Sequence, residues 1–285
     1  MTATENQRED APEPRHGAAF AGAMGHAILL MLRRKRIYFA LGLALLPLFA
    51  LLAAWLLTPG HILRGDHVFQ GLMDGAYATL IPQLLALLLA AMLIAEHIEG
   101  RTLSYILTRP VSRPVWVLGR FTAYAMVTTA LVLGSMLLFT GLCGLLPGFT
   151  VDTEVLERLF RYASAASLAV ITYGAVLILM GVLSRRPIIL GVAFIYGWET
   201  LAASLPGAVS LFTVAKYVRT LTPEDSFLQR RSALQTRMGD IVFQTVEVTP
   251  LQAALILAAG AVACVLITGL ILKHREFSSA RATGA

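Results

Sequence analysis

The chain has 285 residues, 57% of them hydrophobic and only 14% charged, and a mean hydropathy of +0.71. Soluble domains carry about 25% charged residues, so this chain lacks the polar surface to enclose a water-soluble globule and belongs in a lipid bilayer. The net charge of +6 sits at the ends of apolar blocks, where the positive-inside rule and anionic lipid account for it, which sets nucleic-acid binding aside.

Residues 1–17 are polar, contain Pro12 and Pro14, and lack the apolar run and cleavage site of a signal peptide. A disordered, uncleaved tail is expected there. In 18–36, Phe20, Met24, Ile28 and Met31 are spaced for one helical face, and the segment ends in Arg33-Arg34-Lys35-Arg36. At about fifteen residues it is short for a span. It reads as an amphipathic helix at the cytoplasmic interface, with an N-terminal extension of the first span as the alternative.

The remainder, 37–285, reads as six transmembrane helices, an all-α polytopic fold. A helix needs about twenty apolar residues to cross a bilayer. Such runs occur at Ile37–Leu57, about Ala76–Ala95 with Pro82 inside it, Val117–Leu138, Ala163–Leu183, Ile188 to about Leu205, and Leu251–Leu272. The clusters Arg33 to Arg36, Arg101 to Arg120, Arg185-Arg186 and Lys273 to Arg281 all fall on one side if six spans alternate. That side is the cytoplasm by short-loop bias, which puts both termini inside a bacterial inner membrane. The large 206–250 loop is then external, with Val209–Val218 apolar enough to dip into the interface.

The connection between the second and third runs carries the most information. It reads Glu96-His97-Ile98-Glu99-Gly100-Arg101-Thr102-Leu103-Ser104-Tyr105-Ile106-Leu107-Thr108-Arg109-Pro110-Val111-Ser112-Arg113. Leu103, Ile106 and Leu107 form a short apolar stripe, and Pro110 ends the helix because the residue before a proline is pushed out of the α region. A short charged amphipathic helix between two spans can pass the motion of a cytoplasmic partner into the membrane.

The run Glu99-Gly100-x-Thr102-Leu103, then Arg109-Pro110-x-Ser112-Arg113, then Gly119-Arg120, resembles the cytoplasmic signature of ATP-binding-cassette (ABC) permeases of the type-2 exporter class. The span layout is similar to that family as well. Where such permeases usually carry Lys after the glycine, this chain has Arg120, which keeps the charge but not the compact ammonium. The resemblance implies that segment 96–116 is a coupling helix docking on a separate ATPase. Glu96, Glu99, Gly100, Arg101, Thr102, Leu103, Tyr105 and Arg109 would belong to that interface. Pro110, Ser112 and Arg113 would shape the return to the third span. It also implies two copies of an ABC ATPase, which would hold the ATP and magnesium, and a second permease in a homodimer or heterodimer. The alternative reading of Arg101, Arg109 and Arg113 is that they are topology determinants on lipid headgroups.

No phosphate loop occurs in the sequence, so ATP hydrolysis and its cofactors are expected on a partner and none in this chain. Glu199, about eleven residues into the fifth run, is the candidate for a substrate pathway, since a carboxylate inside a membrane is costly. An interfacial residue beside the belt tryptophan Trp198 is the simpler reading. Glu96, His97 and Glu99 match no zinc spacing, and no metal site is expected. Cys143 and Cys264 read as small hydrophobes. Tyr162, Tyr173, Tyr196 and Trp198 are placed by aromatic belts. An intramembrane enzyme using Glu96, His97, Glu99 or Glu199, and a non-transporting assembly subunit, are the competing functions.

Overall fold

The structure, a computed structural model, describes residues 16–57, 64–91, 93, 113–184, 186–204, 208–223, 226 and 248–274. Every regular element among them is helical. Helix α1 is His16–Arg33, α2 is Arg36–Ala44 and α3 is Leu46–Leu57. Helix α4 covers Gly65–Ala90, with π-helical stretches at Met73–Leu80 and Ala86–Ala90. Helices α5 (Arg113–Cys143) and α6 (Thr153–Leu183) are long and regular. Helix α7 runs Pro187–Val192, widens to a π-helix over Ala193–Glu199 and closes with Thr200–Ser204. A 3-10 turn at Ala208–Phe212, α8 (Val214–Leu221) and α9 (Pro250–His274) follow.

Among the described residues four helices are long and apolar enough to cross a bilayer: Gly65–Ala90, Pro114–Cys143, Thr153–Leu183 and Pro250–Lys273. The pair α2–α3 makes a fifth if it is one span, bent by 46°. The bend has a local cause. Pro47 has no N–H for the carbonyl one turn earlier, and its ring crowds that carbonyl, so the helix breaks at Leu45. The expected fifth span is a shorter apolar helix, Pro187–Ala202. The second span starts earlier than expected, because Gly65–Leu72 continues without interruption into the apolar run. Pro82 lies between the two π-helical stretches, where the wider coil re-routes carbonyls that a proline leaves without a donor.

Helix α6 lies at the centre and packs on α4, α5, α7, α8 and α9. Its sequence explains this. Ala165, Ala166, Ala169, Val170 and Tyr173 are buried along one face, and the small alanine side chains let neighbouring backbones approach. At Gly174 the Tyr124 ring of α5 lies where a side chain would stand: a Cβ there would collide with Tyr124 Cε1. The tyrosine hydroxyl donates to the Val170 carbonyl at 3.1 Å, which fixes the ring across the helix pair. At the other end of the bundle Phe69 meets Phe139 and Phe149 at ring separations of 6.2 and 5.1 Å, closing α4 onto α5.

Helix α1 does not stand alone. It packs along α5, with Ala27 and Met31 buried. The crossing point is Gly119, where an added Cβ would lie 3.0 Å from Ala23 Cβ and 3.2 Å from the Met24 nitrogen. The apolar face of α1 therefore covers protein.

Candidate functional site

Several of the polar groups buried in the bundle lie along the α4–α6 contact. Asp74, in the first π-helical stretch of α4, is 3% exposed, and Tyr162 of α6 donates to its Oδ1 at 2.7 Å. Further along the same two helices, Gln83 Nε2 donates to the Tyr173 hydroxyl at 3.1 Å. That hydroxyl in turn donates to Glu199 Oε2 at 3.2 Å. Buried polar groups in a bilayer must find partners within the protein, and these pairings run between α4, α6 and α7.

Glu199 is 2% exposed and also reaches a fourth element. Its Oε1 accepts the Val214 N–H at 2.8 Å and its Oε2 accepts the Ala215 N–H at 3.0 Å. These are the first two amides of α8, which have no carbonyl partner inside their own helix. Thr213, at the cap position, does not serve them: its hydroxyl donates to the Ser210 carbonyl at 2.7 Å. A carboxylate from another helix thus caps α8, favoured by both the free donors and the helix dipole. Tyr217 and Val218 bury the far side of α8 among its neighbours α4, α6 and α9.

The depth follows from this. Tyr173 is ten residues from the end of α6 at Leu183, about 15 Å at 1.5 Å per residue. The start of α8 is therefore seated well inside the bundle. The segment Val209–Val218, expected to dip into the interface, thus packs its helical part against the other helices of the bundle.

Sequence reasoning missed Asp74, which lies before the expected start of the second span, and Gln83 and Thr213. It placed Tyr162 and Tyr173 in aromatic belts. Both are buried and hydrogen-bonded within the bundle, whereas Tyr196 and Trp198 are exposed as a belt requires. The available signal was helical spacing: Asp74 and Gln83 are polar positions interrupting one apolar helix.

Of the other expected site residues, Glu96, Glu99, Gly100, Arg101, Thr102, Leu103, Tyr105, Arg109, Pro110 and Ser112 lie outside the described residues. Arg113 opens α5 with its backbone, and its side chain is also outside them. Arg120 is described. It is 5% exposed, and its guanidinium carbon lies 4.8 Å from the centre of the Trp116 ring. Among the described residues no group of three or more His, Cys, Asp or Glu side chains is placed to hold a metal ion.

Comparison with known proteins bears on this arrangement. A search of curated proteins found no match to the chain. A family model described as "ABC-2 family transporter protein" matches residues 29–198, more than half of the chain, from the end of α1 to the residue before Glu199. The matched region includes segment 96–116 and the helices on both sides of it. By that match, the chain belongs to the ABC-2 family of membrane transporter proteins.

Proposed function

We propose that this chain is the membrane-spanning permease subunit of an ABC exporter, moving its substrate by alternating access that a separate ATPase drives. The observation that carries the reading is the family match across 29–198, which takes in the coupling segment with its flanking spans. Permeases of this family are transport components that work with ABC ATPase subunits and are not themselves catalytic. In the proposed assembly, two ATPase copies hold ATP and magnesium. A second permease, identical or different, completes the pathway. The chain crosses a bacterial inner membrane six times, α7 being the short fifth crossing, with both termini in the cytoplasm.

Closure of the ATPases on ATP pushes segment 96–116 through Glu99, Arg101, Tyr105 and Arg109. The push reaches α4 and α5, which flank the segment. Gln83 on α4 is linked through Tyr173 to Glu199, and Glu199 holds α8. Movement of α4 against α6 therefore bears on the seating of α8. Glu199 thus belongs to the pathway as the tether of α8. Both its oxygens are already engaged by two amides and a phenol, which weighs against the intramembrane-enzyme alternative.

The test is purification of the tagged chain from native membranes in mild detergent. A stoichiometric partner bearing a phosphate loop is expected. The chain emerging alone from several detergents, even after crosslinking, would overturn the reading.

A further inference from the structure

We propose that Glu199 is a proton-binding site whose occupancy controls the seating of α8: the ionised carboxylate holds the helix and the protonated acid lets it go. This deepens the tether role of Glu199 in the proposed function by adding the condition under which the tether releases. Three donors converge on the carboxyl group: the Val214 amide at 2.8 Å, the Ala215 amide at 3.0 Å and the Tyr173 hydroxyl at 3.2 Å. The two amides open α8, so no carbonyl of their own helix accepts them. The Thr213 hydroxyl beside them donates to the Ser210 carbonyl instead. Their acceptor is a titratable group on a different helix, buried to 2% exposure.

A count of donors and acceptors shows what one proton does. The Tyr173 oxygen already accepts Gln83 Nε2 at 3.1 Å, which leaves its hydrogen to point at Glu199. An ionised carboxylate has about four acceptor positions and no donor, so all three donors are met. A proton on either oxygen adds a fourth donor where every neighbour is already a donor. On Oε1 it displaces the Val214 amide. On Oε2 it displaces the Ala215 amide or turns the Tyr173 hydroxyl away. The negative charge that the dipole of α8 favours at its first turn is lost in the same step.

The charged and titratable groups of the neighbouring elements do not take over this task. On α8 itself the charge of Arg219 reaches Glu199, Lys216 Nζ donates to Ser210 Oγ at 3.3 Å, and Tyr217 donates to the Leu211 carbonyl at 2.7 Å. On α4, Asp74 accepts from Tyr162. The acids of α6, Glu154 and Glu157, are engaged by Arg158 and Arg161 at its exposed start. On α7, Tyr196 is exposed, and neither α9 nor the 208–212 turn carries an acid.

The experiment follows hydrogen exchange of the full-length chain in detergent at about pH 5 and about pH 8, corrected for the intrinsic pH dependence of amide exchange. Protection over Val214–Leu221 is expected to be about tenfold lower at the acid pH, since a hydrogen bond to a charged group is lost, while α5 keeps its protection. E199Q, neutral at every pH, should show the low protection at both. D74N removes the other buried carboxyl among the described residues and should respond as the natural chain does. Equal protection over Val214–Leu221 at the two pH values in the natural chain would overturn the proposal. An equal loss over α5, a response that survives in E199Q, or one that disappears in D74N would do the same. If E199Q does not fold, the natural chain and D74N still decide. No ATPase takes part in the measurement, so a failure here leaves the permease reading standing and is told apart from a failure of that reading.

Discussion

Tyr173 donates its hydroxyl to Glu199 Oε2 at 3.2 Å, joining the central helix α6 to the end of α7, and the same carboxylate oxygen accepts the Ala215 amide of α8. One oxygen thus links three helices that are separated in sequence. Replacing Glu199 with Gln leaves one carbonyl oxygen in place of two acceptors and puts an amide donor against α8 amides that are themselves donors. Loss of about 1–3 kcal/mol is expected, read as a lower melting temperature. Faster amide exchange over 214–221 should accompany it, with α5 unaffected.

Gly174 and Tyr124 make a second prediction. Gly174→Ala places a methyl inside the tyrosine ring, and overpacking of this kind costs about 1–3 kcal/mol or more. Yield and thermal stability should both fall. Tyr124→Ala in the same chain should recover part of the loss, because the two changes act at one contact and are not additive.

Asp74 and Tyr162 form the buried pair nearest the start of α4. Tyr162→Phe removes the donor and leaves the carboxylate with less compensation, so a loss of about 1–3 kcal/mol is expected. Asp74→Asn should be milder, since the amide oxygen still accepts the phenol. A double-mutant cycle on melting temperature measures the coupling directly.

Gly119→Leu is expected to lift α1 from α5 without breaking either helix, because the clash is with Ala23 Cβ and the Met24 backbone. Amide exchange over Gly22–Ala27 should keep the pattern of a helix, while cysteines introduced at the buried positions Ala27 and Met31 should become accessible to a thiol reagent.

The long spans were legible because their apolar runs are long and unbroken. The runs expected at Val117–Leu138, Ala163–Leu183 and Leu251–Leu272 lie inside α5, α6 and α9. Two features escaped for a physical reason. Hydropathy is blind to a backbone change that leaves composition intact, so the π-helical stretches in α4 and α7 leave no trace in an apolar run, and the bend is marked only by Pro47, which averaging over the run absorbs. Asp74 escaped because a charged residue reads as the edge of a span, whereas Tyr162, eighty-eight positions away, makes its burial possible. The capping of α8 was also invisible: Thr213 is the residue type a cap prefers, and only the fold shows that Glu199 does the capping. The family resemblance, by contrast, rested on contiguous residues around Gly100 and Pro110, and the family match agrees with it.

The central claim is that segment 96–116 docks on an ABC ATPase. The most direct test places a photo-crosslinking amino acid at Tyr105 of the full-length chain in native membranes, with illumination and identification of the captured polypeptide. The account predicts capture of a protein bearing a phosphate loop, abolished by Arg101→Glu or Arg109→Glu while the chain stays folded in the membrane. Crosslinks to lipid alone, or capture unchanged by either charge reversal, would contradict it.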